Sequence, residues 1–266
     1  MRLLKHKQIK LKMKKSILVK LTMIAMLFAF GINCATAQTK FSVHAGLASP
    51  LGSFADSRAA NNQMAWLNRT DRAGAGMGFN LGMKMHFPIQ SIKGLSVVAT
   101  ADFFYNGPNS DVKDWRDDVV DDMLTNENLD DFTVTLPKYI NVPIMVGANY
   151  KYRVSKTAQL WGEGTLGLNI GKITALSINA VDGNSEGNLK RSYTSNTSFA
   201  FQIGAGVILS KKFSIGVHYY ALGGQKVEGK WAEEEIFGGT VDTEDGKFTF
   251  RTINPSIVAI KAGFHF

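Results

Sequence analysis

Eight stretches of this chain alternate apolar side chains with small or polar ones. A period of two is the side-chain period of a β-strand, because successive Cβ atoms point to opposite faces. The clearest stretch puts Phe79, Leu81, Met83, Met85 and Phe87 on one face and Asn80, Gly82, Lys84 and His86 on the other. The last, from Ser256 to Phe266, separates Val258, Ile260, Ala262, Phe264 and Phe266 from Ile257, Ala259, Lys261, Gly263 and His265. Similar runs cover Phe41–Ala48, Leu95–Tyr105, Phe132–Tyr152, Gln159–Thr174, Thr197–Leu209 and Phe213–Tyr220. Pro137 and Pro143 each remove a ladder donor, so bulges are expected in the fourth run.

The connections between these runs go long, short, long, short, long, short, long. Ser49–Ala75, Asn106–Asp131, Ala175–Asn196 and Ala221–Ile253 are polar or glycine-rich, whereas Pro88–Gly94, Arg153–Thr157 and Ser210–Lys212 are tight. Eight antiparallel strands in that rhythm put all short turns at one end. This predicts an all-β fold, an eight-stranded up-and-down transmembrane barrel with four long external loops. The apolar faces then meet lipid. The second faces, with Gly82, Gly167, Gly204, Gly206, Gly216 and Gly263, suit the crowded lumen of a narrow cylinder. A soluble lipocalin-like barrel would instead turn its apolar faces inward. Aromatics at strand ends, such as Phe79, Phe87, Tyr105, Tyr150 and Tyr219, suit interfacial girdles. Phe264 and Phe266 fit an assembly signal read by the barrel-assembly machinery.

The formal charge of +8 changes little once it is located. Eight basic residues and no acid fall within 1–37, leaving 22 basic against 22 acidic residues beyond. A nucleic-acid partner is therefore not expected. The same segment has a basic start, an apolar run from Leu21 to Ile32, and Ala35-Thr36-Ala37. That order reads as a Sec-type signal peptide over 1–37, with the barrel domain over 38–266. Cys34, the single cysteine, lies in the leader, so no disulfide is expected afterwards. The expected location is the cell outer membrane.

One segment carries a family resemblance. Leu136-Pro137-Lys138-Tyr139-Ile140-Asn141-Val142-Pro143-Ile144, followed by Asn149-Tyr150, resembles the YxxIPLLLKY strand of the PorT-like outer-membrane β-barrel family. Gly46 with Pro50-Leu51-Gly52-Ser53-Phe54 is similar to the first strand and loop of that group. The resemblance implies the fold and location of small OmpA/OmpX-type barrels, and no activity. The assembly signal of such barrels usually has a glycine five residues before the last aromatic, where this chain has Lys261.

Candidate chemistry is sparse. His44, His86 and His265 fall on the inner face of three strands expected to be neighbours, so three imidazoles could converge on Zn²⁺ or a similar ion. Lys84, Asp102, Glu163 and Lys261 also point inward, and buried charges need partners. They are expected to form a salt-bridge network that plugs the lumen; a narrow ion channel is the alternative. Asn106–Asp131 holds nine acids against Lys113 and Arg116. It is expected to be a solvated, partly helical external loop, and is the candidate site for an extracellular ligand. Glu233-Glu234-Glu235 reads likewise. A lipid-modifying barrel enzyme would need a Ser–His pair. Ser214 lies four residues from His218 on the same face, ~13 Å away and beyond hydrogen-bond reach. No catalytic residue and no cofactor is expected.

Overall fold

The computed structural model describes residues 39–57, 72–127, 129–237 and 240–266. The expected leader, with Cys34, lies outside the described residues. Eight strands close into an antiparallel barrel: β1 (Lys40–Leu51), β2 (Ala75–Pro88), β3 (Leu95–Pro108), β5 (Tyr139–Arg153), β6 (Ala158–Ile173), β9 (Asn196–Leu209), β10 (Phe213–Ala221) and β13 (Ser256–His265). Each pairs with the next in chain order, and β13 closes on β1 with Leu47 opposite Ile260 and Val43 opposite Phe264. This is the eight-stranded cylinder that the alternation predicts.

The alternation also sets the two walls. Leu47, Leu81, Leu166, Phe199, Ile203 and Val217 are each more than half exposed on the outside. Asn80, Thr100, Asn141, Asn149, Thr165, Asn169 and Gln202 are buried inside. The tightest short turn joins β9 to β10, with Ser210 at φ 50° and Lys211 at φ 63°. Two consecutive positive φ values match the right-handed twist of the strands they join.

The long connections carry more structure than their polarity suggests. Phe132–Tyr152 is not one strand. Pro137 ends a short strand, β4 (Asp131–Thr135), before β5 starts at Tyr139. Pro143 stays within β5 opposite Asn169, and the β3–β5 ladder is interrupted beside it without a shift in register. Ala175–Asn196 forms a hairpin, β7 (Leu176–Asp182) and β8 (Ser185–Tyr193). Ala221–Ile253 forms another, β11 (Gln225–Phe237) and β12 (Thr240–Ile253). These combine with β4 into a five-stranded sheet ordered β12-β11-β8-β7-β4, beyond the barrel rim.

The acidic connection contains one helix, α1 (Ser110–Thr125). Asn109 caps it, its side chain accepting from the Val112 N–H at 3.0 Å. The helix packs on the small sheet through Val112, Trp115 and Val120 against Val134, Phe132, Leu176 and Ile178. Its acids remain on the solvated side. A second apolar cluster caps the long-connection end of the lumen, joining Phe54, Leu222, Val227 and Ile253 to the inward Phe104, Met145, Tyr220 and Ile257.

Candidate functional site

The lumen is the place where this chain concentrates buried polar groups, and glycines decide how they meet. The register sets His44 opposite Gly82, and Gly82 opposite Asp102. A side chain at Gly82 would run into both the Asp102 carboxylate and the His44 ring. Without one, His44 Nε2 reaches across a whole strand to Asp102 Oδ1 at 2.6 Å. Lys261 Nζ donates to the same oxygen at 2.7 Å and to the Tyr220 hydroxyl at 2.5 Å. Tyr220 donates in turn to Asp102 Oδ2 at 3.1 Å, as do Thr100 at 3.2 Å and, to Oδ1, Asn80 at 3.2 Å. Lys261 is only 3% exposed and also lies 4.7 Å from the Tyr220 ring centroid.

A second cluster lies beside it. Lys84 Nζ donates to both carboxylate oxygens of Glu163, at 2.5 and 2.6 Å. Asn149 Nδ2 and Gln202 Nε2 donate to Glu163 at 3.1 and 3.3 Å. Gly204 separates Glu163 from His218 as Gly82 separates His44 from Asp102, and His218 Nδ1 lies 3.5 Å from the carboxylate. Trp161 lies over Gly206 and Gly216, whose missing side chains make room for the indole. Lys84 Nζ lies 5.4 Å from the Trp161 ring centroid. Two acids thus meet two lysines, and the pairs fill the middle of the barrel.

The three histidines expected to converge line one cavity, but only two of their rings meet. His86 and His265 come together, with ring centroids 5.8 Å apart. His44 pairs with Gly82, four residues along β2 from His86, or ~13 Å at the rise of a strand. It is held by Asp102 instead. Among the described residues no group of three or more His, Cys, Asp or Glu side chains could hold a metal ion. This covers the acids of α1 and those of β11, where Glu233 lies opposite Glu244. On α1, Asp111 accepts from Ser57 Oγ at 2.7 Å and Asp117 meets Arg116 at 2.6 Å.

Phe264 packs edge-on against Phe213, with centroids 5.3 Å apart, and Phe266 lies 5.8 Å from Phe41. They form an aromatic patch at the short-turn rim. Phe79 and Tyr105 stack at 5.4 Å toward the opposite rim.

The sequence reading missed the neutral members of the lumen network: Asn80, Asn149, Trp161, Gln202 and Tyr220. All occupy inward positions of the alternation, so inward polar or amphipathic residues of any charge would have been the signal. His218 also faces the lumen, bonded to Gln202 at 3.0 Å, and so is turned away from the outer wall where lipid chemistry would occur.

No family model matches the chain, and no curated protein matches it. Solved structures do. The attachment invasion locus protein Ail of Yersinia pestis is 14% identical over 85% of this chain and 98% of its own, with a TM-score of 0.35. Neisserial surface protein A is 10% identical over 86% of this chain and 97% of its own, with a TM-score of 0.38. A major outer membrane protein from Thermus thermophilus is 11% identical over 86% of this chain and 99% of its own, with a TM-score of 0.42. These are likenesses of fold.

Proposed function

We propose that this chain is an integral outer-membrane β-barrel with no catalytic duty, which supports the envelope and offers its external sheet and α1 as a binding surface. The observation that carries the reading is the inversion of its walls. Leu47, Leu81, Leu166, Phe199, Ile203 and Val217 are exposed, whereas Asn80, Asp102, Gln202 and Lys261 are buried. Such an outer wall needs lipid, and a closed barrel satisfies its own backbone there. The reading includes Sec-type export, handling by barrel-assembly machinery, and the PorT-like resemblance of Leu136–Ile144. Fractionation with the outer membrane and heat-modifiable migration on a detergent gel are the expected outcomes. A chain that is folded and monodisperse without detergent would overturn the reading.

The channel alternative meets the paired charges and the apolar cap. Lys84–Glu163 and Lys261–Asp102 span the lumen, and Phe104, Met145 and Tyr220 close its far end. Planar bilayers holding the folded chain are expected to show no unitary conductance. Reproducible single-channel steps would replace the plug with a path.

A further inference from the structure

The lumen opens at its short-turn end into a cavity of about 30 Å³. Lys84, Lys151 and Lys261 contribute to its wall, together with Trp161, His86 and His265. Two of the three ammonium groups are neutralised, Lys84 by Glu163 and Lys261 by Asp102. Lys151 forms no ion pair among the described residues. Among these lysines and their acids, the charge of Lys151 is therefore left unbalanced.

Its wall also holds buried polar atoms without partners, the acceptor Asn149 Oδ1 among them. Both ring nitrogens of His86, Nε2 of His265 and Nε1 of Trp161 are buried without a hydrogen-bond partner. His86 is 2% exposed and Trp161 8% exposed. An indole N–H can only donate, and each neutral imidazole supplies one N–H and one acceptor nitrogen. Buried donors without partners are costly, so a ligand that accepts several hydrogen bonds is favoured. The wall also includes Ser42 and Ser214, whose hydroxyls can turn to donate. A metal cation at His86 and His265 would instead meet the uncompensated charge of Lys151. The enclosed part of the cavity is small, which favours a guest of few atoms.

We propose that this mouth binds one small monovalent anion of the halide class. Lys151 supplies the counter-charge, and Trp161, His86 and His265 supply N–H donors. The site depends on the barrel geometry and not on which membrane the barrel occupies.

The test uses the full-length chain, ¹⁵N-labelled and folded in detergent micelles in chloride-free sodium gluconate. Sodium bromide replaces gluconate at constant ionic strength, and the indole ¹⁵N–¹H resonance of Trp161, assigned from Trp161→Phe, is followed. The expected result is a saturable shift confined to that one of the four tryptophans. Lys151→Met should weaken the apparent affinity at least tenfold. Lys151→Arg should keep it, and Lys211→Met, in the β9–β10 turn, should leave it unchanged. A cavity holding water alone would give no shift. That result, or a linear response shared by all four indoles, or a Lys151→Met titration like the unaltered protein's, overturns the proposal. Should Lys151→Met not fold, crystals grown in bromide decide the matter. An anomalous peak in the cavity supports the anion, and its absence at saturating bromide rejects it. Zinc sulfate perturbing the His86 and His265 rings where bromide does nothing would assign the pair to a metal and also reject it.

Discussion

Asp102 is the residue whose loss should be felt most. Five side chains converge on it: His44, Asn80, Thr100, Tyr220 and Lys261. Asp102→Asn keeps the shape and one acceptor oxygen but removes the charge. The Lys261 ammonium, at 3% exposure, is then left with neutral partners. Breaking a buried ion pair from one side costs ~3–5 kcal/mol, because the surviving charge stays desolvated. The retained oxygen places the expected loss near the lower bound, at ~3 kcal/mol. With a urea slope of ~1–3 kcal/mol/M, the midpoint should fall by ~1–3 M. Reversible urea unfolding in micelles, followed by tryptophan emission and by heat-modifiable migration, reads this directly. Lys261→Met added to Asp102→Asn removes the stranded charge, so the double variant should recover ~2 kcal/mol relative to Asp102→Asn alone. A stability shift under ~1 kcal/mol for Asp102→Asn, or simple additivity of the two substitutions, would refute this. Either result would mean that water reaches the pair and screens it.

Other expectations test different parts of the molecule. Leu166→Arg puts a charge on the outer wall and should cost ~2–4 kcal/mol in bilayers if that position lies near the midplane; an unchanged unfolding midpoint in lipid vesicles would contradict the outward assignment. Gly216→Val intrudes on the Trp161 indole, so the emission of that tryptophan should move to the red as the ring is displaced toward the open mouth. Burial pushes the Tyr193 phenol in β8 up to about 12. Because the folded pKa lies above the unfolded ~10, the stabilisation is full below pH 10 and is lost as pH rises toward 12. The 295 nm difference titration between the unaltered protein and Tyr193→Phe should centre near 12, and a midpoint at 10 would show the ring to be solvated.

How much of the site could be read from the chain varies with the range of the interaction. Lys84, Asp102, Glu163 and Lys261 are inward by alternation, and the structure places them inward. Their pairing was not legible, because it depends on register. Lys84 meets Glu163 across the barrel, 79 residues away in sequence. The histidine triangle is only partly closed for the same reason, since alternation gives a face and not a height. The external sheet was missed because β8, β11 and β12 are rich in Lys, Glu, Asp, Thr and Ser, and much of their surface stays solvated. Hydrophobic contrast between their two faces is therefore weak. Among the described residues, the cover of α1 and the apolar cap bury part of that sheet.

The sequence by itself determined the number of barrel strands, the short-turn end and the division between outer and inner walls. Those follow from local stereochemistry: a two-residue side-chain period, tight turns where positive φ is tolerated, and prolines that end or interrupt pairing. Tertiary structure alone decided which inward groups touch. Closing β13 on β1 fixes every register around the ring, and glycines such as Gly82 and Gly204 let side chains two strands apart meet. It also decided that polar connections would fold into a sheet, because their backbone hydrogen bonds are satisfied by distant strands and not by neighbours along the chain.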